Sequence, residues 1–227
     1  MKYMKTQTLI DKLSRGGKPV FTIHEAALLA GKKKAYLSRL LPTNKKIYRV
    51  ERGKYFIEGT GTYEIASNVI FPSYLSLMAA FRYYNLTTQE PVLASVISLK
   101  SHKPIIVNET KVEFIKFSKG RFFGYKKERG VFIAYREKAI LDAIYMGRPE
   151  FSAVDEVLTA ALEENSIDIK RMKNFAMMMD SAVLINKMGF LLESHGINCD
   201  SLLGHRSKHY ATLSPIGSPN NRWHVKI

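Results

Sequence analysis

The chain has 227 residues, 46% of them hydrophobic, one cysteine and a formal net charge of +15. That length suits one large or two small domains with a real core, and the apolar content excludes a disordered chain. A lone Cys199 excludes an internal disulfide and fits a reducing cytoplasm. No long apolar run, lipidation signal or secretory leader is legible, so a membrane role is set aside and a cytoplasmic location is expected. The charge is uneven: residues 1–60 carry 14 Lys+Arg against 4 Asp+Glu, residues 61–227 carry 21 against 16. An excess concentrated in the first quarter of a chain is the electrostatic footprint of a phosphate-binding surface.

Leu9, Ile10 and Leu13 lie on one face of a helix expected over Thr8–Ser14 and ended by Gly16-Gly17. Thr22 opens a second helix, and Glu25 three residues later completes a capping box. Ala26, Ala27 and Ala30 give this helix a small, close-packing face. Gly31 then allows a left-handed turn, and Leu37, Leu40 and Leu41 face inward from a third helix. The spacing of Ala27, Gly31 and Leu37 is that of a helix-turn-helix. Two β-prone runs follow, Ile47–Val50 and Lys54–Ile57, joined by Glu51-Arg52-Gly53 as in a bulged hairpin. Together these elements have the layout of a winged helix-turn-helix.

The outward face of the third helix is short and basic, which suits a recognition helix: small residues allow close approach to bases, and an arginine reaches guanine or phosphate. The candidate DNA contacts are Thr22 at the mouth of the second helix, Lys32, Lys33, Lys34, Tyr36, Ser38 and Arg39 along the turn and third helix, and Arg49, Arg52 and Lys54 on the hairpin. Arg39 is assigned to a base or a phosphate. Lys32, Lys33 and Arg52 are assigned to phosphates. A solvated basic face on an ordinary helical hairpin is the competing reading.

Gly59-Thr60-Gly61 reads as a boundary, giving a DNA-binding domain over residues 1–60 and a C-terminal α/β domain over 61–227. In the second part Ser73 is expected to cap a helix with Leu77, Met78 and Phe81 inward. Strands are expected at Val92–Leu99, Pro104–Val107, Val112–Lys116, Arg121–Tyr125 and Val131–Tyr135, forming a mostly antiparallel sheet. Helices follow at Glu137–Tyr145, Ser152–Glu164, Ile169–Met179 and Ser181–Ser194, with Met177–Met179 as core filler. Two tail strands, Tyr210–Leu213 and Arg222–Ile227, are split by a break at Pro215–Pro219. The fold class is mixed α+β.

An active site is not legible. Metal-dependent nucleotide chemistry needs clustered carboxylates, and no Asp occurs between Asp11 and Asp142. Glu109-Thr-Lys111 matches only half of a nuclease motif. There is no Asp-x-Asp, P-loop or Rossmann glycine pattern. Cys199, His205 and His209 have poor zinc spacing, with Arg206 and Lys208 between the histidines. No metal, cofactor or enzymatic activity is expected.

The chain resembles the AbiEi family of type IV antitoxins, partners of the AbiEii nucleotidyltransferase-like toxins. The resemblance spans most of the chain: the winged segment with Gly53, the stretch Phe71–Pro91, and Ile133–Tyr145. Its most specific parts are Pro72-Ser-Tyr74 and Glu137-Lys-Ala-Ile-Leu-Asp142. It implies a winged domain that binds inverted repeats in the promoter of its own operon and represses it. It also implies a C-terminal domain that counteracts the toxin without forming a stable complex. Lys32-Lys-Lys34 is more basic than the family pattern, so no operator sequence carries over, and no antitoxic residue is assigned. A ligand-responsive regulator and a DNA-targeted enzyme remain as alternatives.

Overall fold

A computed structural model describes residues 6–16, 18–213 and 217–227. Gly17, and Pro215 and Ile216 of the expected tail break, lie outside the described residues. The fold is mixed α+β. Two compact units divide the chain: the first takes residues 1–75, 92–116 and 126–133, the second 76–91, 117–125 and 134–227. The Gly59-Thr60-Gly61 seam lies inside the first unit.

The first unit begins with α1 (Thr6–Arg15), β1 (Val20–Thr22), α2 (Ile23–Ala30), α3 (Lys34–Leu40), a short 3-10 turn (Leu41–Thr43), β2 (Ile47–Glu51) and β3 (Lys54–Ile57). The three strands pair antiparallel in the order β1-β3-β2. Leu9, Ile10 and Leu13 of α1 meet Ala26, Ala27, Leu37, Leu41, Phe21 and Tyr55 in one buried cluster. The apolar periodicity of all three helices thus converges on a shared core, which is what makes helices this short stable.

Downstream, the same unit holds α4 (Thr62–Asn68) and most of a six-stranded sheet made by β4 (Ser73–Ser76), β5 (Leu93–Ser98), β6 (Ile105–Val107), β7 (Thr110–Lys116), β8 (Tyr125–Glu128) and β9 (Val131–Ala134). Strand order is β6-β7-β5-β4-β9-β8. The expected mostly antiparallel pairing gives way to a mixed sheet: β5–β7 and β4–β9 run parallel, β6–β7 antiparallel. Two local readings are also corrected. Ser73 begins a strand rather than capping a helix; the helix, α5 (Leu77–Tyr83), starts four residues later. The expected strand at Arg121–Tyr125 is a 3-10 turn (Lys119–Arg121) and a bend at Gly124, where a side chain would meet Phe175 at 3.0 Å and Lys138 at 3.1 Å. Gly124 takes a φ of 70°, which turns the chain there instead of extending it.

The second unit is built around α6 (Arg136–Met146), on which α5, α7 (Phe151–Glu163), α8 (Ile169–Met178) and α9 (Ala182–Ser194) all pack. Covered on several sides, α6 buries eight consecutive residues from Glu137 to Ile144. The tail adds a small sheet of β10 (Ala211–Thr212), β11 (Pro219–Asn220) and β12 (Val225–Lys226), with β10 and β12 parallel. Buried Trp223 lies flat on α9 where Gly189 leaves the backbone bare; a Cβ there would sit 2.2 Å from the ring. Its indole N–H donates to Glu193 at 2.7 Å. Of the three methionines expected in the core, Met179 is buried and Met177 and Met178 are exposed.

Candidate nucleic-acid interface

The start of α2 is fixed by a complete capping box. The Glu25 N–H donates to the Thr22 hydroxyl at 3.1 Å, and the Thr22 N–H donates to the Glu25 carboxylate at 2.8 Å. Lys18 pairs with the other Glu25 oxygen. Partial burial pushes the Glu25 carboxyl up, but the bonds from Lys18 and Thr22 outweigh it and hold the group below its ordinary value. The Thr22 hydroxyl also donates to Glu25, so this candidate contact serves the cap. Gly31 closes α2 with φ 61°, a left-handed conformation that side chains avoid, and the Lys32 N–H donates back to the Ala27 carbonyl at 3.1 Å. α3 begins three residues beyond Gly31.

Leu37 locks α3 to the core, and its other side faces solvent: Lys33, Lys34, Ala35, Tyr36, Ser38 and Arg39 are all exposed. The Ser38 hydroxyl turns back to the Ala35 carbonyl at 2.9 Å. Lys32 is half-buried and partnered. Among the described residues, the side chains of Lys33, Lys34 and Arg39 have no hydrogen-bond or ion-pair partner. Lys33 at the N-cap and Lys34 and Arg39 spread over the outward side of α3, with no carboxylate in that helix, form a surface that attracts an anion rather than one balanced internally.

The β2–β3 hairpin is anchored to the same frame. The Gly53 carbonyl accepts the Ile23 N–H at 2.9 Å, which ties the hairpin to the first turn of α2. A bulge between Arg49 and Glu51 and a φ of 79° at Gly53 give the tight turn expected from the sequence. Arg52 stands exposed at the tip. Arg49 is exposed, but its Nε donates to the Glu51 carbonyl at 3.1 Å. Lys54 turns inward, donating to the Val69 carbonyl at 2.5 Å and pairing with Glu51 at 2.7 Å. It braces the hairpin rather than extending its basic tip.

Neither a protein-family model nor a curated protein matches this chain. The AbiEi resemblance therefore stands on the residues quoted for it, and the structure places its most specific ones in the interior. In the second unit Lys138 and Asp142 form an ion pair with both side chains at 0% exposure. The Ser76 hydroxyl donates to the second Asp142 oxygen at 2.8 Å. The Lys138 ammonium also sits 4.9 Å over the Phe123 ring and 5.2 Å over the Phe117 ring. Burial drives the Lys138 pKa down, and the Asp142 charge and hydrogen bond oppose that. Glu137 is also buried, accepting from the Asp168 N–H at 2.7 Å. The Lys138–Asp142 pair braces α6 from within, and Asp142 and Glu137 tie that helix to Ser76 before α5 and to Asp168 at the start of α8.

Three surface residues escaped the sequence reading. Lys45 and Lys46 are exposed between the 3-10 turn and β2, and Tyr48 is exposed on β2, stacked on Phe56 at 5.6 Å. The Asn44-Lys-Lys46 run was the available signal: two lysines in the loop linking α3 to the β2–β3 hairpin. Among the described residues no group of His, Cys, Asp and Glu is arranged to hold a metal, and no helix is long and apolar enough to cross a membrane.

Proposed function

We propose that the chain is a cytoplasmic DNA-binding repressor that docks α3 in the major groove of its own promoter and sets the wing against the flanking backbone. It also acts as the antitoxin of a type IV pair. The observation that carries the DNA reading is a set of exposed cations with no partner among the described residues, Lys33 at the N-cap of α3 and Lys34 and Arg39 on its outward side, together with exposed Arg52 in the hairpin turn, on a three-helix frame. The antitoxic role is supported by the family resemblance: the C-terminal part counteracts an AbiEii-type toxin without a stable complex. No catalytic step is assigned to either role.

Mobility shifts on the chain's own promoter test the first role. With ~6 phosphate contacts from α3 and wing, log affinity falls against log salt with a slope of about −5. Equal affinity for promoter and random duplex would overturn it. Growth rescue during toxin expression tests the second role, with the full chain supplied from a constitutive promoter so that repression does not mimic neutralisation. The Arg39→Ala/Arg52→Ala variant should lose the promoter and still protect. Absence of rescue by the unaltered chain would remove the antitoxin reading.

One observation favours a second reading, a ligand-responsive regulator. The second unit has a half-open pocket of about 740 Å³, lined by Ile144, Phe151, Phe190 and Lys187 among others. Burial pushes the Lys187 ammonium down from its ordinary pKa. A promoter complex that dissociates on adding a small metabolite would favour this reading over the antitoxin.

A further inference from the structure

The basic character of the first unit does not stop at the wing. That unit carries 21 Lys+Arg against 8 Asp+Glu, a net +13 of the chain's +15, and the second unit is left with +2. Seven of the 21 lie beyond the winged segment, in residues 92–116 and 126–133. Among them, Lys100 and Lys103 occupy the loop between β5 and β6, and this loop is pinned to the wing. His102 Nε2 lies 3.0 Å from a Glu51 carboxylate oxygen, one residue from Arg52. The His102 ring packs edge-on against Phe114 of β7 at 4.6 Å.

The loop backbone is fixed as well. The Ser98 hydroxyl donates to the Lys100 carbonyl at 2.7 Å, and His102 Nδ1 lies 2.7 Å from the Lys103 carbonyl oxygen. With these groups engaged within the unit, the Lys100 and Lys103 side chains are left exposed, and among the described residues neither has a partner. Nearby acids do not cancel them. Glu51 is matched by Lys54 as well as His102, and Glu113 is half-buried and accepts from the Ser95 hydroxyl at 2.7 Å. Glu109 sits in the turn at the other end of β6.

We propose that the β5–β6 loop is a second phosphate clamp, in which Lys100 and Lys103 extend the DNA footprint from the wing tip onto the adjoining duplex backbone. The inference rests on the DNA-binding reading. Its physical content is that His102 and Glu51 fix a loop that carries no base-reading element, so its contacts are sequence-independent. Two added phosphate contacts steepen the salt slope of the intact chain by about 1.8, from about −5 to about −7.

The test is the salt dependence of binding by the full chain to a duplex of its own promoter and to a random duplex. Lys100→Ala/Lys103→Ala should flatten the slope by about 1.8 on both duplexes while keeping the preference for the promoter. As a matched control, Lys170→Ala/Lys208→Ala removes two exposed charges from the second unit and should leave the slope unchanged. An unaltered slope in the first variant, as expected if the loop meets an acidic protein instead of DNA, would overturn the clamp. So would equal flattening in the control, which would mean that only net charge is read. Failure of the unaltered chain to prefer its promoter is a different result and counts against the DNA-binding reading itself.

Discussion

The two units use lysine in opposite ways. In the first, Lys33 and Lys34 stand exposed at the start of α3 with no partner among the described residues. In the second, Lys138 is wholly buried and spends its charge on Asp142. An unpaired exposed ammonium costs the fold almost nothing and remains available to a phosphate. A buried one is tolerable only while its partner is present. At these positions the charge of Lys33 and Lys34 is open to a ligand, whereas that of Lys138 is committed to the fold.

The largest effect that could break this contrast is on stability. Asp142→Ala strands the Lys138 ammonium in the interior and should cost ~3–5 kcal/mol, read from denaturant unfolding. Lys138→Met/Asp142→Leu, which removes both charges and keeps the volume, should cost far less. If the single and double variants were equally unstable, packing rather than stranded charge would hold this site.

Arg39→Ala addresses the other side. It should weaken promoter binding by ~1–3 kcal/mol and, if Arg39 reads a base, relax specificity at one position. Its effect on unfolding should stay within about 0.5 kcal/mol, since the Arg39 guanidinium is exposed and has no partner among the described residues. A variant that lost stability instead would make Arg39 part of the scaffold.

The smallest effect concerns the frame under α3. Glu25→Gln weakens the cap and the Lys18 pair and should cost about 1 kcal/mol at neutral pH. The Glu25 pKa is lowered in the folded chain from an ordinary 4.5. Its stabilisation is therefore present in full above that value and is lost as the pH falls through the lower folded one. The gap between variant and unaltered chain should close in acid. A gap independent of pH would mean that the bonds made by Glu25 do not depend on its charge.

The three helices and the hairpin of the first unit were legible because their signals are local. The Thr22–Glu25 box, the left-handed Gly31 and the Gly53 turn each act within a few residues, and the buried Leu9, Leu37 and Leu41 keep the helical period. What was missed depended on distant contacts. β4 has all four residues buried, so it shows no alternation and reads as the start of the helix that follows it. The inward turn of Lys54 depends on the Val69 carbonyl, fifteen residues away. The Glu137–Asp142 motif was conspicuous in the sequence, yet its residues proved to be interior. Only the packing of four helices around α6 reveals that.

Trp223 is the only tryptophan in the chain, and it is sealed against Gly189 with its N–H on Glu193. The molecule therefore carries an optical label in one unit and not the other. Its emission should be blue-shifted while the second unit is folded and should move to the red when that core opens. Tyr55 and Tyr48 give the first unit only tyrosine signals. Selective excitation at the red edge of the absorption band would then follow the loss of the second unit in the unmodified chain, with no dye, tag or truncation.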